Sequence, residues 1–187
     1  NTIYFCFYST GPELRKLDTA TGGLGPVLCT YNAQATGIAC IPNGTVNGSQ
    51  TTVCRGGLNI PIVNSSWAYD SMQVILGNGC NIIDVNVRID TVLHTWDSDL
   101  SFYLSRNNGA LSVKIINKVG SSGDNFIGTV LDDSAFIPIA SGTAPFTGTY
   151  QPSNPLTPLN GTFTAGYWKL SITDTATGDT GILKRWC

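Results

Sequence analysis

Charge is scarce in this 187-residue chain: Asp, Glu, Lys and Arg together make up 12% of it and sum to a net charge of −2. A weakly acidic balance offers no basic face to release counterions from phosphates, so nucleic acid is excluded as a partner. Lys, Glu and Ala are too few for a helical bundle. No apolar run reaches the roughly 18 to 20 residues that a membrane-spanning helix needs. A basic start with a small-residue cleavage pattern is also missing, and the chain is expected to be soluble with any leader already removed. There is a single histidine, His94. A Ser-His-Asp triad would have to use it, and no GxSxG-type motif supplies an activated serine. Catalysis is not expected, and a hydrogen-bonded turn residue packed by Trp96 is the plainer reading of His94. The absence of any CxxC pair argues against zinc ribbons and thioredoxin-like chemistry.

What is abundant is the material of strands and turns: 22 Thr, 15 Ser, 21 Gly and 9 Pro. From Ile83, the residues Ile83, Val85, Val87 and Ile89 alternate with Asp84, Asn86, Arg88 and Asp90, the period-two pattern of a half-buried strand. Alternation returns in Leu100, Phe102, Leu104, in Leu111, Val113, Ile115, and in Trp168, Leu170, Ile172, with Gly, Asn or Pro between them. The spacing predicts an all-β, antiparallel sandwich. Segments 117–125 and 139–159 read as long loops, where a β-scaffold carries any binding site. Residues 1–58 have a different texture, rich in cysteine and turns. They read as a separate N-terminal β segment, leaving 59–187 for the sandwich.

Six cysteines, Cys6, Cys29, Cys40, Cys54, Cys80 and Cys187, form an even set that reads as disulfides and places the chain outside the cytoplasm. Their pairing is open among fifteen connectivities. Sequons stand at Asn43, Asn47, Asn64 and Asn160 in turn-like stretches, so glycosylation is possible at each.

Several ordered motifs carry a family resemblance. They begin with Asp84-Val85-Asn86-Val87-Arg88-Ile89 and Leu93-His94-Thr95-Trp96-Asp97-Ser98-Asp99-Leu100. Residues 120–125, Leu131-Asp132-Asp133-Ser134-Ala135, Ala140–Phe146 and Asp174–Gly181 follow. In this order they resemble the P domain (Homo B domain) of proprotein convertases over about 60–187, with Ser98 where that family has Gly. The resemblance implies a jelly-roll-like β-sandwich that braces or accompanies other secreted domains, and for residues 1–58 it implies nothing. It also implies calcium, with Asp99, Asp124 and Asp133 as ligands, Asp97 and Asp132 assisting and Asn125 beside Asp124 in the same cluster; solvated turn aspartates are the alternative. Ca²⁺ takes six to eight hard oxygens at flexible geometry, which aspartates and carbonyls on converging loops can supply. Asp174 and Asp179 form a weaker second candidate, since a Thr-Gly-Asp turn explains them without metal.

Where the family's last strand runs on, Gly181–Cys187 stops early. A shortened strand should leave backbone groups and an apolar groove to be filled. Thr2–Ser9 is an apolar strand in want of a partner, with Ile3, Phe5 and Phe7 expected to enter a groove while Thr2, Tyr4, Cys6 and Tyr8 face away. Insertion into a neighbouring copy would build a filament, and insertion into the same copy a monomer. The expected function is therefore a non-enzymatic extracellular or cell-surface assembly module. The alternative is an accessory module that binds a secreted partner protein or a glycan. For glycan binding an aromatic platform is wanted, but Trp67, Trp96, Trp168 and Trp186 are spread along the chain, and Trp168 fits a core position.

Overall fold

The stretch WAYDSMQV alternates without a break: Ala68, Asp70, Met72 and Val74 are buried, while Trp67, Tyr69, Ser71 and Gln73 are exposed. Residues two apart share a face of a strand, so one side of this strand is dry and the other wet. The same rule organises the rest of the computed structural model, which describes the backbone of 3–7, 13–17 and 24–30 and, with side chains, 51–75, 81–106 and 109–187. In chain order the strands are β1 Ile3–Phe7, β2 Glu13–Leu17, β3 Leu24–Thr30, β4 Ile60–Ile62, β5 Trp67–Val74 and β6 Val87–His94. They continue as β7 Leu100–Arg106, β8 Leu111–Asn117, β9 Phe126–Leu131, β10 Phe146–Tyr150, β11 Gly166–Asp174 and β12 Gly181–Trp186.

Two units emerge. One comprises Asn1–Thr52, Gln73–Ile83 and Gly161–Gly166, the other Val53–Met72, Asp84–Asn160 and Tyr167–Cys187. The break near the N-terminus thus falls after Thr52, not at residue 58, because residues from 53 on pair with the end of the chain. In the first unit β1, β2 and β3 form a sheet in that order. Ile3, Phe5 and Phe7 stand opposite Leu17, Arg15 and Glu13 of β2.

The second unit is the expected sandwich. One sheet runs β10-β9-β6-β12-β4 and the other β5-β11-β7-β8. Strands β4, β6, β9 and β12 pair antiparallel within the first sheet and β7 with β8 and β11 in the second, while β9 and β10 run parallel. The chain passes repeatedly from sheet to sheet, as in a jelly roll. Leu100, Phe102, Leu104, Ile115, Leu170 and Ile172 of one sheet and Ile62, Ile89, Val92, Phe126, Leu131 and Leu183 of the other are almost wholly buried. Phe102 meets Phe126 edge-on across the interior at 4.9 Å, and Phe126 stacks on Phe146 at 4.9 Å. A polar tie also crosses the interior: Asp70 of β5 accepts from Trp186 Nε1 at 2.9 Å and from Arg55 at 2.9 and 3.1 Å. Burial raises the Asp70 pKa, but these donors outweigh it and hold the carboxyl below its ordinary value.

Three expectations change. The strand foreseen from Ile83 begins at Val87, and Ile83 is 68% exposed while its neighbour Ile82 is buried. The reason is local, since Ile82 bonds through its backbone to Thr162 and Gly161. Segment 139–159 is no plain loop, because it holds β10 and two single 3-10 turns. The third change concerns the short last strand, which is interior to its sheet. Gly181, Ile182 and Leu183 pair with Ile62, Pro61 and Ile60 on one side and with His94, Leu93 and Val92 on the other. Further along, Arg55 and Trp186 exchange backbone hydrogen bonds of 2.9 and 3.0 Å, and Cys54 and Cys187 form a disulfide. The groove expected beside β12 is thus filled by residues 55–62, while Thr2–Ser9 contributes β1, which pairs with β2. Cys40 and Cys80 lie outside the described residues, as do the side chains of Cys6 and Cys29, which sit on β1 and β3 opposite Leu14.

Candidate functional site

The six residues expected to hold calcium separate into three places. Asp132 and Asp133 are engaged locally. Asp132 Oδ1 accepts from Ser134 N and Oγ, both at 2.7 Å, an Asx turn. Asp133 accepts from Leu156 N, Thr157 N and Thr157 Oγ1, capping the 3-10 turn at 157–159. Asp99 belongs with Asp174 and Asp179. Burial first, and then the negative charge of those two, raise its pKa. Asp174 in turn lies 3.4 Å from His94 Nε2, and both side chains are inaccessible to solvent. His94 Nδ1 takes a hydrogen bond from the Trp96 backbone N–H at 3.1 Å, so the ring is fixed at both nitrogens, and the Trp96 contact is made by backbone rather than indole. Asn64, with its amide turned to satisfy its neighbours, donates to Asp174 Oδ2 and the Asp179 carbonyl and accepts from Gly178 N–H. That sequon's amide is therefore engaged within the fold. Asn160 caps the 157–159 turn, and Asn43 and Asn47 lie outside the described residues.

The third place is the informative one. Asp97 opens the 3-10 turn Asp97–Asp99 and is wholly buried. Its Oδ1 accepts from Asn125 N at 2.9 Å, and its Oδ2 has no hydrogen-bond partner. The 118–125 loop wraps this turn: Asp97 N donates to Gly123 O at 2.8 Å, and Asn125 Oδ1 accepts from His94 N at 3.0 Å. Lys118, Ser121 and Asn125 all have positive φ, a costly conformation for side-chain-bearing residues that clusters at working sites. Loss of hydration, aided by the charge of Asp124 and opposed by the Asn125 hydrogen bond, pushes the Asp97 pKa up to about 7. An unpartnered buried oxygen beside a second carboxylate is suited to a proton or a small hard cation. The donor set fits calcium only in part. Asp97 and Asp124 offer oxygens, whereas among the described residues no three His, Cys, Asp or Glu side chains are placed to share one ion.

A pH dependence follows. The folded pKa of Asp97 lies above the ordinary 3.8, so between about pH 4 and pH 7 the native state holds a proton that the unfolded chain has released. Stability therefore falls as pH rises through that window, by on the order of 4 kcal/mol in all. Denaturant midpoints measured in chelator at pH 5 and pH 8 check this, and Asp97→Asn should flatten the slope.

A different surface had no counterpart in the sequence reading. On the outer face of the β5-β11-β7-β8 sheet stand Trp67, Tyr69 and Tyr167, exposed by 54, 58 and 55%, together with Tyr103. The Trp67 and Tyr103 rings lie 5.4 Å apart. They meet across β11 because the β11 residue opposite Tyr103 is the small Ser171. Lys169 Nζ sits 4.3 Å from the Tyr69 ring centre, and Lys114 Nζ 5.4 Å from that of Tyr103. Between the rings the outward positions are Ser101, Ser105 and Ser171, shaded to below a tenth exposed by the larger side chains around them. Of the other tryptophans, Trp168 and Trp186 are core residues, as expected for the former, and Trp96 is exposed on the turn after β6.

No protein-family model, curated protein or solved structure matches the chain. What the fold and site define is a class: a disulfide-closed β-sandwich with an aromatic outer sheet face and a buried acidic loop site.

Proposed function

We propose that the chain is a non-enzymatic module acting outside the cytoplasm, which holds a glycan on the outer face of the β5-β11-β7-β8 sheet. The observation that carries this is the gathering of Trp67, Tyr69, Tyr103 and Tyr167 from three strands onto one exposed face. A cluster of large exposed rings is costly to leave in water and marks an interaction surface. Sugar rings present flat C–H faces that stack on aromatic faces, and their hydroxyls suit the Ser, Thr and Gln residues around them. Rings with few rotatable bonds also lose little entropy on binding. Trp67→Ala combined with Tyr103→Ala should weaken oligosaccharide binding by at least tenfold, each lost stacking contact being worth about 1 kcal/mol or more. Calorimetric titration with the melting temperature as a folding control measures this. Equal affinity in the variant would remove the face from the reading.

Calcium belongs to the same reading as a stabiliser of the loop site. Bound between Asp97 and Asp124, it would supply the positive charge that the buried Oδ2 lacks. Since a cation competes with a proton, added calcium should raise the melting temperature at pH 8 and do so much less at pH 5. Identical melting curves in calcium and in chelator at both pH values would exclude it.

A second reading, assembly by strand addition, is favoured by one feature: among the described residues β1 stands at the end of its sheet, paired with β2 alone. Such an edge can add a strand from a second copy. Deleting residues 1–9 should then lower the mass in solution without unfolding the sandwich. A full-length chain that stays monomeric at high concentration would defeat it.

A further inference from the structure

The aromatic face is also a face of one charge. On strands β5, β7, β8 and β11 the only carboxylates are Asp70 and Asp174, and both turn inward, at 7 and 1% exposure. The outward charges on the same strands are the ammonium groups of Lys114 and Lys169, in a chain whose net charge is −2. Each amine is held over a tyrosine ring, with Lys114 Nζ also 3.3 Å from Asn117 Oδ1. A cation held over one face of a ring covers that face and fixes the positive charge beside the other rings of the cluster, Trp67 and Tyr167. A ligand that stacks there meets an amine at once.

From this charge pattern, and resting on the glycan reading above, we infer that the ligand is an anionic polysaccharide whose sugar rings lie on the aromatic residues while its acid groups pair with Lys114 and Lys169. Spacing supports this. Lys169 is in register with Ser105, Ser105 with Ser112, and Lys114 stands two residues further along β8. Two strand spacings sideways and two residues along place the lysine backbones roughly 12 Å apart. That is about the length of a disaccharide repeat, so acid groups carried on every second sugar match the spacing of the two lysine positions. Uronate and sulfate share the required chemistry, a delocalised oxyanion that accepts charge-assisted hydrogen bonds. Single-stranded nucleic acid also combines rings with charge, but its affinity comes from neutralising many phosphates along a basic track. Two amines on an acidic chain do not provide one.

The test is calorimetric titration of the full chain with four probes: a hyaluronan hexasaccharide (carboxylate only), a chondroitin sulfate hexasaccharide (carboxylate and sulfate), cellohexaose (neutral) and a single-stranded oligodeoxynucleotide. Variants are Lys114→Gln with Lys169→Gln, and Trp67→Ala, each checked by its melting curve. Binding of an acidic saccharide, about tenfold weakened by the double lysine variant and by raised salt, is the expected result. The two acidic probes separate carboxylate from sulfate recognition. Cellohexaose bound as tightly as the acidic sugars, with the lysine variant unchanged, would overturn the charge assignment and leave the glycan reading standing. Failure of all three saccharides, or preference for the oligonucleotide, would overturn both.

Discussion

Replacing Cys54 and Cys187 together by serine should lower stability by about 3–5 kcal/mol and the melting temperature by on the order of 10 °C. The bond joins residues 133 apart in sequence, so it removes a large loop-closure entropy from the unfolded chain. In the folded chain it stands at the end of a backbone seam. Cys187 exchanges two hydrogen bonds of 2.9 Å with Arg88, and Trp186 exchanges a pair with Arg55. Beneath them Asp70 ties Arg55 and Trp186 together. Without the disulfide, residues 53–58 and the end of β12 depend on these bonds, the Leu58 N–H to Lys184 carbonyl bond and the Arg185–Asp90 ion pair. Amide hydrogen exchange should therefore quicken first at Arg55, Arg88 and Trp186, well before the β7 and β11 amides. The two single variants should lose about as much as the double, since a lone thiol closes no loop. An unchanged denaturant midpoint in the double variant would show that the seam, not the covalent bond, holds the terminus.

How far the chain could be read without its structure depends on whether a feature is written locally. Strands β7, β8 and β11 were legible because each carries three or more alternating apolar residues bound for one dry face. Strand β10 was not, since only Phe146 of FTGTY is buried and the rest reads like a turn. The turn role of Asp132 is written locally: Asp followed two residues later by Ser is an Asx-turn signal, and it accounts for this side chain without metal. The aromatic face was out of reach. Trp67 and Tyr103 come from strands that are not neighbours, and they meet only because β11, far along the chain, enters the sheet between them. Sheet order is a non-local property, and no window of sequence contains it. The same holds for Asp70 and Trp186, whose bond closes the interior across a separation of 116 residues. Asp97 shows a mixed case. Its acidity was visible, but burial of its unpartnered oxygen under the 118–125 loop depended on the fold.

Gly181→Ala should cost about 3–4 kcal/mol, far more than loss of glycine's flexibility explains. Gly181 begins β12 and is paired on both sides, with Ile62 of β4 and His94 of β6. A β-carbon there would strike the Leu93 carbonyl oxygen and come within 2.6 Å of His94 Cδ2. Neither neighbour can yield cheaply. The Leu93 carbonyl is backbone within a paired strand, and the His94 ring is held by the Trp96 N–H on one side and Asp174 on the other. Moving β12 instead would strain its pairing with β4. The added methyl should therefore break the register at the start of β12, shift the buried His94–Asp174 pair and loosen the neighbouring Asn125, which accepts from His94 N. Gly57→Ala separates the steric cost from the conformational one. Its φ is +68° with nothing within 4 Å of a built β-carbon, so only the left-handed penalty of about 1 kcal/mol applies. Denaturant titration of the two variants decides the matter: a large gap between them confirms close packing of β12 against β6, and equal losses would mean that Leu93 and His94 give way.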